Sequence, residues 1–353
     1  MSIAYSSLFR NCYHAAMADR WFATHAAGFG PLVVRLASRD FPGCDARADG
    51  DNAVRLSCAT APRGLLAYCR GLFRVIAEAP GGLERASRSI ARDLAGGPAM
   101  ARERRAPATF VLRSFGPDDP ASLPRELRLS FEQLIAGCTG ARPDSERSGR
   151  EYRLQERADG GTLFLERVAA EEEAAPRRGE LPRSTCRLLA ELTEPRSDDV
   201  FLDPFCGYGG IALERALAAP YRFVFASDID PEKTAAVKAA LSSRLLERRR
   251  KTIFPKTRDA LDPSAFDSGF VTAIATDPPW GLYGGGPGAE AAEELRRAFL
   301  AEAARLLAPG GRLVLLSARG NEVDPRPFFS QGERLDVLVS GKKAKALRLD
   351  RLR

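Results

Sequence analysis

Two histidines and seven cysteines in 353 residues leave little from which to build a metal centre. Cys12, Cys44, Cys58, Cys69, Cys138, Cys186 and Cys206 form no Cys-x-x-Cys pair, and only His14 and His25 are there to assist them, so no metal site is expected. An odd, scattered set of thiols fits a reducing cytoplasm better than a disulfide framework. Long apolar runs are missing as well: none approaches the ~18 residues of a membrane span, and no membrane partner is expected. The first twenty residues carry Arg10, Arg20 and a lone acid, Asp19, but Asn11, Cys12 and His14 interrupt any secretory core. They read as a short arm, with a transit peptide as the alternative.

What is present suits a multidomain protein with a sizeable core, since 44% of the residues are hydrophobic. The formal net charge of +7 suits a chain that approaches a phosphate backbone.

Residues 169 to 182 hold charge and small side chains without apolar periodicity, which is linker chemistry. Upstream, Leu32 to Leu36 is apolar and Ala53 to Leu56 is β-like, and the spacing of Leu65, Leu66, Tyr68, Leu72, Phe73 and Ile76 predicts a helix over 63–78. A second α+β unit follows, with a strand at Thr109 to Arg113, a helix over 124–136, and strands at 151–155 and 162–167 joined by an Asp159-Gly160 turn. Downstream, strands at 200–203, 223–228, 271–277 and 312–317 alternate with helices, the grammar of a mostly parallel sheet covered on both faces. Asp230 caps a helix that begins at Pro231, a second helix runs from about Ala289 to Ala308, and residues 335–349 close the chain as an antiparallel hairpin.

Two acidic strand ends carry the chemistry. The first is Asp203-Pro204-Phe205-Cys206-Gly207-Tyr208-Gly209, whose glycines allow a backbone to approach a ligand closely. Gly207, Gly209 and Ala212, with Asp228 some twenty residues later, also satisfy the dinucleotide spacing, so two cofactors compete for the loop. Charge decides between them: a pyrophosphate would be repelled by Asp203, whereas the sulfonium and ammonium of S-adenosylmethionine would be attracted, by on the order of 4 kcal/mol at ~4 Å and an effective dielectric near 20. Asp228 is then the acceptor for ribose hydroxyls, and Asp259 falls where a third loop reaches an adenine amino group, its alternative being an exposed loop acid. The second end is Asp277-Pro278-Pro279-Trp280-Gly281. Asp277 and the Pro278 carbonyl can each accept a hydrogen from an aromatic amine, leaving its lone pair free to attack a methyl group. Trp280 offers a face for a flipped base, its alternative being a core residue behind a Pro-Pro turn.

These two segments resemble the first and fourth motifs of amino methyltransferases. More narrowly, Leu181-Pro182 before the first motif and Gly341-Lys342-Lys343-Ala344 near the end resemble the THUMP-containing RNA guanine-N2 methyltransferases. Upstream, Trp21 to Gly30 resembles the opening of that family's ferredoxin-like domain, Arg70 to Val75 its arginine-bearing helix, and 109–168 a THUMP core with Ala141-Arg142-Pro143-Asp144 as its turn. Phe29 stands where an acid is common, Trp280 replaces Tyr or Phe, and no arginine follows Gly281.

The resemblance implies an α/β fold in which a Rossmann-like class I methyltransferase domain (183–353), with a C-terminal antiparallel hairpin, follows an arm (1–20), a ferredoxin-like domain (21–95), a THUMP-like domain (96–170) and a linker (171–182). It implies N2-methylation of a guanosine in tRNA held by its acceptor stem, by a cytoplasmic monomer for which a small activating subunit is compatible. Asp277, Pro278 and Trp280 would be catalytic, and Asp203, Phe205, Gly207, Gly209, Asp228 and Asp259 would hold S-adenosylmethionine. Adenine-N6 methylation of RNA or DNA, and an inactive RNA-binding protein on the same fold, are the competing expectations. Three basic clusters, Arg102/Arg104/Arg105, Arg248 to Lys251 and Lys342/Lys343/Lys345, are candidates for phosphate contact, against the reading of each as a solvated face.

Overall fold

The computed structural model describes residues 19–58, 62, 64, 66–95, 108–117, 119–144, 149–171, 177, 179–244, 251–262, 264–281, 288–318 and 324–352. Most of the expected N-terminal arm, Arg102, Arg104, Arg105 and Arg248 to Arg250 lie outside the described residues. The chain divides into two units, one of residues 1–25 and 33–171, the other of 26–32 and 172–353.

The first unit is built on one eight-stranded sheet in the order β2-β3-β1-β4-β8-β7-β5-β6. Its strands are β1 (Asp19–Thr24), β2 (Asp45–Ala48), β3 (Ala53–Cys58), β4 (Gly71–Pro80), β5 (Thr109–Phe115), β6 (Arg142–Pro143), β7 (Arg150–Glu156) and β8 (Gly161–Ala170). The β4–β8 ladder joins the two expected α+β units edge to edge. Leu32 to Leu36 lies in helix α1 (Gly30–Asp40). Helices α2 (Leu83–Ala95) and α3 (Arg125–Thr139) place Ile90, Phe131 and Ile135 against Phe110, Tyr152 and Phe164 of the sheet, one continuous core.

Two expectations are corrected here. The helix over 63–78, with the arginine-bearing helix at Arg70 to Val75, is instead strand β4 from Gly71 onward, paired with β1 and β8. Its apolar residues also alternate, Phe73 and Val75 packing on one cluster with Leu163 and Leu165, and two waiting strand edges decide the ambiguity. The thiols are not all free, because Cys44 and Cys58 form a disulfide. Antiparallel pairing of Asp45 with Ser57 sets the next residues, Cys44 and Cys58, opposite one another with their Cα atoms 4.3 Å apart.

The second unit carries a seven-stranded sheet in the order β11-β10-β9-β12-β13-β15-β14. Strands β9 (Val200–Asp203), β10 (Phe223–Asp228), β11 (Ile253–Thr257), β12 (Val271–Thr276) and β13 (Leu307–Ala318) are parallel; β14 (Phe329–Val339) and β15 (Lys342–Arg351) form the closing hairpin. Helices α4 (Arg183–Leu192), α5 (Gly210–Ala218), α6 (Pro231–Arg244) and α7 (Ala289–Leu306) accompany them, the last ending two residues short of the expected Ala308. Asp230 accepts the Glu232 N–H at 2.9 Å and so caps α6 as its sequence requires. This is a Rossmann-like α/β fold. The chain steps outward from β9 to β10 and β11, then returns to lay β12 on the other side of β9, so the strand order reverses between β9 and β12. In open α/β sheets, ligands bind outside the carboxyl ends of the strands at such a switch point.

The opposite end of the sheet is locked by buried charge. Asp199 accepts two bonds from Arg312, at 2.8 and 3.0 Å, and one from Arg215 at 2.9 Å. Burial pushes its carboxyl up, but the Arg196 backbone N–H and the two guanidinium groups outweigh that and hold it below the usual range. Arg312→Ala strands Asp199 with fewer partners; a loss of about 3–5 kcal/mol in chemical denaturation is expected.

Candidate active site

Strands β9 and β12 run side by side, Asp203 ending the first and Asp277 directly following the second, so their pairing fixes where the two acids stand. Asp203 is 1% exposed. The Thr276 hydroxyl donates to Asp203 Oδ1 at 2.8 Å and accepts the Phe205 N–H at 3.3 Å, which stitches the first motif to the end of β12. Asp203 Oδ2 is buried and meets no hydrogen-bond donor among the described residues. Burial, reinforced by the charges of Asp277 and Asp228 and opposed by the Thr276 bond, raises its carboxyl to about 8. Asp199, immediately before β9, is the contrast: both acids are 1% exposed, but one has two arginines and the other has no cation among the described residues. A buried carboxylate lacking a counter-charge is a place for a ligand's positive charge.

The glycine loop is drawn onto Asp228 at the end of β10. Asp228 Oδ2 accepts the Gly207 N–H at 2.9 Å, Oδ1 accepts the Asp230 N–H at 3.0 Å, and Lys233 lies 3.6 Å away. Gly209 has φ +84°, and a Cβ there would lie 2.8 Å from Val237, so only glycine lets the loop turn into α5. Phe205 is half-buried, its ring edge-on to Phe299 of α7 at 5.1 Å. Asp259 is an exposed loop acid whose Oδ1 accepts the Leu261 N–H at 2.9 Å. It nonetheless lines a small cleft with Leu202, Pro204, Ser227 and Phe266, which places it beside the ends of β9 and β10.

Asp277 follows β12 directly, and burial raises its carboxyl to about 7 against the lowering effect of a hydrogen bond from Trp280. That bond runs from the indole Nε1 to Asp277 Oδ1 at 2.7 Å. Trp280 is 7% exposed, so in this state its ring is packed inward and presents little face to a base. Pro278 is buried and Pro279 exposed.

The structure thus brings Asp203, Asp228 and Asp277 to one end of the sheet, where the charges of the latter two act on Asp203, and leaves Asp259 at the margin. Of the basic clusters, Lys343 and Lys251 are exposed, whereas Lys345 is buried in β15 and is not offered to a phosphate. Three residues escaped the sequence reading. Thr276 is the hydroxyl that joins the two motifs, signalled only by a polar residue ending an apolar strand. Ile229, 71% exposed beside Asp228, is a large apolar side chain at the rim. Arg296, fully buried, donates from Nη1 to the Pro279 carbonyl at 3.2 Å and steadies the second motif from α7. No sequence signal marks Arg296 out from other helical arginines.

Residues 175–325 match the family model described as UPF0020: RMKL-like, methyltransferase domain. A tRNA (guanine(10)-N2)-dimethyltransferase from Methanothermobacter thermautotrophicus is 33% identical over 138 residues, 39% of this chain and 38% of that protein. A tRNA (guanine(6)-N2)-methyltransferase from Thermus thermophilus is 37% identical over 144 residues, 40% of this chain and 41% of that protein. The matches therefore span about two fifths of the length of these curated relatives. In three dimensions the chain is similar to TrmN from Thermus thermophilus, with a TM-score of 0.74, 23% identity, and coverage of 94% of this chain and 100% of that one. This last likeness is one of fold.

Proposed function

We propose that the chain transfers a methyl group from S-adenosylmethionine to the exocyclic N2 of a guanosine in tRNA. The observation that carries this reading is the buried carboxylate of Asp203 at the switch point, which faces no cation among the described residues and feels the charge of a second acid, Asp277, just past the end of the neighbouring strand. The orphaned Asp203 Oδ2 fits a cationic group, and the glycine loop gives close backbone approach. Asp203, Phe205, Gly207, Gly209, Asp228 and Asp259 would hold the cofactor, with Ile229 as an apolar wall beside the ribose-binding acid. When bound, S-adenosylmethionine supplies a methyl group activated by its sulfonium. Asp277 and the Pro278 carbonyl accept the hydrogens of the target amine and orient its lone pair. Trp280, turned outward, stacks on the base. Rate enhancement of this kind comes from positioning and from fixed charge, without a covalent enzyme intermediate.

The reading extends to the domains. Residues 21–95 and the THUMP-like 96–170 would hold the acceptor stem of tRNA, joined by the 171–182 linker to the catalytic domain 183–353, in a cytoplasmic monomer. The names of the two curated relatives support guanine-N2 over adenine-N6. No helix among the described residues is long and apolar enough to cross a membrane. The test is incubation with methyl-labelled cofactor and unmodified tRNA, followed by nucleoside analysis. Label in N2-methylguanosine is expected; label confined to N6-methyladenosine, or none, sinks the proposal.

A further inference from the structure

The acceptor that the proposed reaction needs is already in use. Trp280 Nε1 donates to Asp277 Oδ1 at 2.7 Å, and the buried indole fills the space beside that carboxylate as well as taking one of its oxygens. An indole N–H and the amino N–H of a nucleobase are the same kind of donor, each attached to a flat aromatic ring. They compete for the same place.

The backbone around Trp280 is held on both sides. Before it, the Pro278 and Pro279 rings fix φ, and the Pro279 carbonyl accepts from the fully buried Arg296. After it, Gly281 has φ +72° and lies so close to α7 that an added Cβ would stand 2.7 Å from the Ala289 Cα. With the chain pinned at 279 and 281, the freedom that remains is rotation of the Trp280 side chain. Turning the indole outward frees Asp277 and exposes the ring face in one movement.

We propose that Trp280 is a specificity-determining residue: it holds Asp277 until an incoming base supplies both a replacement N–H and a flat ring on which the displaced indole can stack. This rests on the function proposed above and adds how that site chooses its substrate. Water can replace the N–H bond but offers no ring. An apolar ring offers stacking but leaves the half-buried Asp277 carboxylate without the donor that the indole supplies, a cost that favours the indole staying in place. A purine or pyrimidine bearing an exocyclic amine meets both conditions, and an oxo-only base such as uracil does not present that amine.

Two measurements test it. In nitrogen-15-labelled protein, with Trp21→Phe identifying the signals, the Trp280 indole N–H resonance is expected far downfield and slow to exchange, and to move upfield in Asp277→Asn. A Trp280 resonance at the position of a solvent-exposed indole, unmoved by Asp277→Asn, overturns the proposal whatever the protein's activity. In the second, Trp280→Phe keeps a stacking ring and removes the competing donor, so the Kd for unmodified tRNA with S-adenosylhomocysteine present is expected to fall about tenfold, the scale of one hydrogen bond to a charged group. If the wild type methylates tRNA while Trp280→Phe binds it equally or more weakly, the competition is absent and the inference fails alone. If the wild type methylates no tRNA, the proposed function fails and the resonance by itself decides whether Trp280 holds Asp277.

Discussion

Asp203→Asn is expected to abolish detectable cofactor binding and, at the same time, to make the ligand-free protein more stable. Both follow from one fact: Asp203 is buried, one of its oxygens meets no donor, and no cation among the described residues faces it. The first effect is the loss of attraction between a carboxylate and a sulfonium or ammonium, on the order of 4 kcal/mol at short range, or about a thousandfold in Kd. Titration calorimetry with S-adenosylmethionine and S-adenosylhomocysteine measures it, and affinity within tenfold of wild type would remove Asp203 from the site.

The second effect has a definite sign. Burial raises the folded-state carboxyl of Asp203 to about 8, above the ~3.9 of an unfolded chain, so the folded protein binds more protons than the unfolded one between those values. The stability available at acid pH is therefore lost as pH rises through that window, and the loss is complete above about 8. An amide has no such ionisation. At pH 8.5 the variant should unfold at a higher temperature than wild type, and by pH 4 the gap should close. Cofactor binding near pH 7 should also release a proton, seen as a buffer-dependent enthalpy.

Asp277→Ala is expected to lower the rate of methyl transfer by about a hundredfold to a thousandfold while leaving cofactor affinity within a few-fold of wild type. Its carboxylate acts on the acceptor amine, whose lone pair becomes nucleophilic only when its hydrogens are drawn out of the ring plane; loss of such an oriented acceptor has effects of about 10²–10³. Because burial raises Asp277 to about 7, the protonated form, which cannot accept, dominates in acid. With cofactor saturating, so that Asp203 does not limit, wild-type kcat/KM for tRNA should therefore rise with pH through about 7, and the limb should disappear in Asp277→Asn. Transfer that survives Asp277→Ala unchanged would remove the mechanism.

The parallel strands β9, β10 and β12 are legible because strands buried on both faces are written as short apolar runs, and an acid ends or directly follows each where the chain leaves the core. Both motifs could be found without coordinates for the same reason: Asp203 with its glycines, and Asp277 with its prolines, are punctuation at strand ends. β4 was not legible. Its residues satisfy a helical and an alternating period equally, and only the free edges of β1 and β8 choose. The Cys44–Cys58 bond depends on the β2–β3 register, and Lys345 is turned inward by the pairing of β15 with both neighbours.

Local periodicity and the backbone needs of glycine and proline reveal β9, β10, β12, β13, the closing hairpin and the acids at the strand ends, but not β11, whose short run with Pro255 and Lys256 carries no clear strand period. Only the assembled fold shows that β12 returns beside β9, that among the described residues Asp199 meets two arginines while Asp203 meets none, and that the Trp280 indole faces Asp277. Those are outcomes of strand order and of which charges share a low-dielectric space, and neither is encoded within reach of a single segment.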